Sequence, residues 1–151
     1  MLEALASTAF ARTIAESQML TAGLSAVHLL GFTLVMGSGL LSGLRCLGVL
    51  LRERPLSEVM SAASTGLVVG LGISVVTGFL LFVPRAPGAA ANEFFRAKML
   101  LLISVVAFHA MIQRRRASRI AGDGAIVWVG ALGLALNLAL AMAASAFILL
   151  E

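Results

Sequence analysis

Four long apolar runs decide what this chain can fold into. They are residues 19–44, 59–83, 94–113 and 126–150 of a 151-residue sequence. A helix crossing about 30 Å of hydrocarbon needs about 20 apolar residues. Each run meets that length, and each connection between them carries breakers or charge. "RERPLSE" (52–58) separates the first two runs, and "PRAPGAAANE" (84–93) the next two. There Pro84 and Pro87 forbid an uninterrupted α-helix. "RRRASRIAGDG" (114–124) precedes the last. Hydrophobic residues make up 60% and charged residues 12% of the chain, against about 45–50% and about 25% in a soluble domain. With so few charges, no water-facing shell can cover this much Leu, Val, Ala and Gly. The predicted class is all-α, an integral membrane four-helix transmembrane bundle forming a single domain.

Residues 1–18, "MLEALASTAFARTIAESQ", differ from the rest. Glu3, Arg12 and Glu16 make the segment too polar to span, while Leu2, Leu5, Phe10 and Ile14 give it an apolar side. It also lacks the basic start and short apolar core of a signal peptide. It reads as an interfacial helix lying on the bilayer.

Positive charge sets the expected orientation. Arg45, Arg52, Arg54, Arg114, Arg115, Arg116 and Arg119 flank the first and third connections; Arg12, Arg85, Arg96 and Lys98 lie on the other side. Seven against four places the first set in the cytoplasm and both termini in the periplasm of a bacterial inner membrane. The net charge of +4 reflects this topology, not nucleic-acid binding, since no basic stripe with interleaved aromatics occurs. The single cysteine, Cys46, excludes an internal disulfide and reads as a reduced thiol at a helix end.

Small residues recur every fourth position in two runs: Gly66, Gly70, Ser74 and Gly78, then Gly133, Asn137, Ala141 and Ser145. In lipid, such faces let helices approach closely. They predict packing inside the bundle, room for a flat cofactor, or an oligomer interface through Gly66/Gly70/Gly78 or Gly133/Ala141.

"GLSAVHLLGFTLVMGSGL" (23–40) carries one ionisable group, His28, in an apolar setting. An intramembrane ionisable residue is a functional hypothesis by default. On a helix its face includes Gly31, Phe32, Val35 and Gly39, which predicts a glycine-smoothed groove beside the ring. Depth excludes His109 as a second ligand on the same haem. His28 lies 17 residues before Arg45, and His109 five before Arg114. At 1.5 Å per residue they differ by about 18 Å. The same ruler predicts an outer polar layer of His28, Thr77, Lys98 and Asn137, with Met99 and Met142 nearby. An ammonium beside the ring favours neutral imidazole, which suits a hydrogen bond or a metal ligand. His/Met haem and His/Met copper both follow as options, as does a haem held by His28 of two copies. No paired carboxylates, His-Glu-x-x-His or Ser-His-Asp pattern supports an enzyme acting alone.

Three stretches carry a family resemblance: "IAESQMLTAGLSAVHLLGFTLVMGSGLLSGLRCLG" (14–48), "TGFLLF" (77–82) and "FFRAKMLLL" (94–102). They resemble an uncharacterised family of small four-helix bacterial membrane proteins. The resemblance implies that His28, Gly31, Arg45, Gly48, Thr77, Gly78, Arg96 and Lys98 are family positions. Gly43 stands where that family has Asp, and His109 where it has Asn. The first-span His-x-x-Gly is also similar to copper-resistance D-type and cytochrome b561-type membrane proteins.

The function expected is a b-type haem or quinone-linked electron-transfer subunit. His28 would be the axial ligand, Gly31, Gly39, Lys98 and Met99 would line the cofactor, and Met142 would be a candidate metal ligand. Beside it stands a non-catalytic accessory or assembly protein, in which His28, Lys98 and Asn137 form a buried polar network. There Thr77, Arg45 and Asn137 are structural polar groups. Copper handling is third.

Overall fold

The computed structural model describes residues 2–116 and 123–149, and omits the side chains of 113–116, 123–124 and 147–149. The connection at 117–122, with Arg119, and the side chains of the Arg114–Arg116 cluster therefore lie outside the described residues. Seven α-helices are present among them: α1 (Leu2–Ala6), α2 (Ala9–Glu16), α3 (Gln18–Cys46), α4 (Leu56–Phe82), α5 (Ala86–Ala91), α6 (Glu93–Arg116) and α7 (Asp123–Leu149). Four of them, α3, α4, α6 and α7, are long and apolar enough to cross a membrane. The chain is an all-helical, multi-pass membrane bundle.

α3 is the central helix. It packs on α4 along one side and on α7 along another, and α6 packs on α7. Glycine sets these close approaches. A Cβ at Gly70 would lie 2.6 Å from the Gly31 carbonyl, one at Gly66 2.5 Å from Ser38 Oγ, and one at Gly130 2.8 Å from the Cys46 Cβ. The outward faces are apolar: Leu30, Val68, Val76, Leu100, Trp128 and Leu138 are all well exposed in the isolated chain, as a lipid-facing surface requires.

α3 ends in a glycine turn. Gly48 has φ +68°, the Val49 N–H bonds to the Leu44 carbonyl at 3.0 Å, and the Gly48 N–H bonds to the Arg45 carbonyl at 3.1 Å. This is the Schellman closure, which satisfies carbonyls that the helix leaves open. Arg45 then donates from its guanidinium to the Arg54 carbonyl at 2.8 Å. Its structural role is to tie the helix end to the connection.

The opposite end is capped by short elements. The expected single interfacial helix is two helices, broken at Ser7–Thr8, where the Thr8 hydroxyl caps α2 by accepting from the Ala11 N–H at 3.2 Å. A hydroxyl that caps a new helix competes with continuation of the old one. α1 and α2 rest on the Val83–Arg85 3₁₀ turn, and α1 also on α5. Ala11, Ile14, Val83, Ala86 and Ala89 are buried between them. The segment around Pro84 and Pro87 is therefore more helical than its two prolines suggest. Each proline stands at the start of a short helix, where the missing N–H costs nothing.

Candidate functional site

His28 is half-buried on α3, turned toward α4. Its Nδ1 lies 3.1 Å from the Thr77 Oγ1. The Thr77 hydroxyl itself donates to the Ile73 carbonyl one turn earlier, at 2.7 Å. Since that hydroxyl proton is committed, Thr77 can only accept from the ring. With that arrangement the imidazole proton sits on Nδ1 and the lone pair on Nε2, the tautomer that this pair of contacts accommodates. Gly78 makes the approach possible, because a Cβ there would stand 2.9 Å from the His28 Cε1. The Ser74 backbone is within hydrogen-bonding reach of the same ring, and the Lys98 ammonium acts on it electrostatically.

Of the four residues expected in one polar layer, His28 and Thr77 are in contact and Lys98 lies within electrostatic range of the ring. Asn137 is not with them. It presses against Gly39, eleven residues further along α3 and so about 16 Å deeper. The displacement has a simple cause. Gly130 of α7 meets Cys46, the last residue of α3, so α7 starts about two turns beyond the end of α3. Counting from Asp123 as though both ends were level placed Asn137 too far outward.

The expected cofactor wall also differs. Gly31 and Gly39 face inward, but each is filled by a neighbouring helix. A Cβ at Gly31 would lie 2.7 Å from the Ser74 Oγ, and Gly39 receives Asn137. Neither lines an open groove. Met142 is 73% exposed and Met99 40% exposed, so both side chains open to the outer face of the bundle. The Gly66, Gly70 and Gly78 face is occupied by α3, and Gly133 is covered by Phe108. Those glycines are occupied by packing within the chain.

A second polar region lies in the arginine-rich half, where sequence reasoning placed no site. A pocket of about 20 Å³ opens between the four spans, lined by Ser42, Cys46, Met60, His109 and Asn137 among apolar neighbours. That is room for about one water-sized species. The Cys46 thiol donates to the Met60 thioether at 3.7 Å. Asn137 donates from Nδ2 to the Gly133 carbonyl at 2.8 Å, while its buried Oδ1 has no partner. The only early hint was the position of Cys46 and Met60 on either side of one short connection. Among the described residues, no three His, Cys, Asp or Glu side chains converge as a metal site.

A family of unknown function, DUF6644, matches residues 5–145. The chain belongs to this family. The DUF6644 match spans both polar regions, from His28 through Thr77 and Lys98 to Asn137. No curated protein and no solved structure matches, and the likeness to copper-resistance D-type and b561-type proteins gains no support from these comparisons.

Proposed function

We propose that this DUF6644 protein is a membrane redox subunit in which His28 presents Nε2 to an apolar prosthetic group entering from the lipid side. Haem b is the leading candidate, with a quinone headgroup the related alternative. One observation carries the reading: the His28 Nδ1 lies 3.1 Å from a Thr77 hydroxyl that itself bonds to the Ile73 carbonyl, an arrangement that suits an Nδ1–H donor and a free Nε2. Ligating histidines are oriented this way, with the other ring nitrogen donating to a fixed acceptor. A quinone would use the same nitrogen as acceptor and Lys98 as donor. His109 does not enter this site, so a haem here takes His28 as its one histidine, or a second His28 from another copy. The test is haem and quinone analysis of protein purified from its native membrane. Wild type should carry one of them in stoichiometric amount, and His28→Ala should lose it. Its absence from a folded wild type ends this reading.

A second reading rests on a different feature of the same contact. The His28–Thr77 bond joins two helices that already pack closely through Gly78, so it also serves as a clasp. An accessory protein needs no more than that. A colourless wild type in which His28→Ala lowers stability alone would favour this alternative.

The proposed setting is a bacterial inner membrane, with the Arg45–Arg54 connection cytoplasmic and both termini periplasmic, on the Lys/Arg asymmetry. Reporter fusions after residue 50 and after residue 90 should report opposite sides.

A further inference from the structure

We infer that the inner pocket is a Cu(I) site built from Cys46, Met60 and His109, independent of His28. All three side chains line one pocket of about 20 Å³, and they come from three different spans. A thiolate, a thioether and an imidazole form a donor set suited to Cu(I). The two sulfurs are 3.7 Å apart. At metal–sulfur bonds of about 2.3 Å, the length usual for zinc–thiolate bonds, one ion between them subtends an angle near tetrahedral.

Charge selects the ion. The Cys46 thiol is hydrogen-bonded to the Met60 thioether. The binding step is Cys46–SH + Cu⁺ → Cys46–S–Cu + H⁺. The Cu–S bond forms, the S–H bond breaks, and no electron moves. With neutral imidazole and thioether completing the set, the buried site gains no net charge. A divalent ion would add one unit of uncompensated charge in a low-dielectric interior, which burial disfavours. Cys46 is also the last residue of α3, the helix end that favours a cation. Ile112 and Phe108 pack around Cys46 and Met60, shielding the ion from water.

The experiment is anaerobic Cu(I) titration of the full chain in detergent, in competition with a chromogenic chelator, with Zn²⁺ as the divalent comparison. Wild type should take up one Cu(I) and exclude Zn²⁺. Cys46→Ser should weaken binding by roughly 100-fold or more, at the upper end of what even an outer partner of a ligand costs. Met60→Leu conserves volume, so its weakened binding reports a lost ligand and not lost packing. His109→Asn should weaken binding too, whereas Gly72→Ala, where a Cβ meets open space, should not. X-ray absorption of the loaded protein should show two sulfurs and one nitrogen. Failure of wild type to hold Cu(I), unchanged binding in Cys46→Ser or Met60→Leu, or a shell without sulfur overturns the assignment.

Discussion

His28 and Thr77 share a 3.1 Å hydrogen bond across 49 residues of sequence, joining the first span to the second. Its geometry suits an imidazole protonated on Nδ1, because the threonine hydroxyl also bonds to the Ile73 carbonyl. Thr77→Val keeps the side chain's size and removes the acceptor. Interhelical hydrogen bonds in bilayers contribute about 0.6 kcal/mol on average and up to about 1.7. Loss of about that amount in reversible unfolding is expected, together with loss of any bound chromophore's original spectrum. Unchanged stability would mean that the contact contributes little as a clasp.

Close packing of α3 on α4 gives a matched pair of variants. A Cβ at Gly70 would lie 2.6 Å from the Gly31 carbonyl and 2.9 Å from the Val35 backbone nitrogen, whereas one at Gly72 meets nothing within 4 Å. Backbone cannot yield as a side-chain tip can. Gly70→Ala should destabilise by about 1–3 kcal/mol, and Gly72→Ala should be neutral in the same thermal unfolding assay. Equal effects at both positions would contradict the helix interface described here.

The end of α3 predicts a backbone effect. Gly48 holds φ +68° in open space, so a methyl there meets no clash but does meet conformational strain. Gly48→Ala should cost roughly 1 kcal/mol, read from denaturant unfolding in mixed micelles. A neutral result would mean that the turn relaxes without the left-handed residue.

Asn137 predicts an unusual sign. Its Oδ1 is buried without a partner, and its Nδ2 bonds only to the Gly133 carbonyl of its own helix. Replacing it with a residue of similar volume and no polar atoms should be neutral or stabilising. Asn137→Val in metal-free protein should therefore melt no lower than wild type. A loss above about 2 kcal/mol would show that the oxygen is satisfied by a resident species.

Much of this was legible in the chain. Run length against bilayer thickness gave four spans, and helical spacing put Gly31, Val35 and Gly39 on the inward face with His28. Counting along helices from a shared end also brought Thr77 and Lys98 to the level of His28. The same counting failed for Asn137, because nothing in a sequence states how far one helix overhangs another. The groove beside His28 failed for a related reason. A small residue shows that something comes close, but whether that is a cofactor or a neighbouring helix depends on the partner chosen. Cys46 and Met60 went unpaired because a thiol and a thioether 14 residues apart carry no spacing rule. Only the register of the α3–α4 hairpin brings them together.

The ligand role of His28 turns on which of its ring nitrogens bears the proton. Nitrogen-15 NMR of imidazole-labelled, ligand-free protein measures this directly, with His109→Asn assigning the two histidines. A protonated Nδ1 and a bare Nε2, with the Nδ1–H signal shifting in Thr77→Val, are the result expected. A proton on Nε2, or an Nδ1 indifferent to Thr77, would contradict the account.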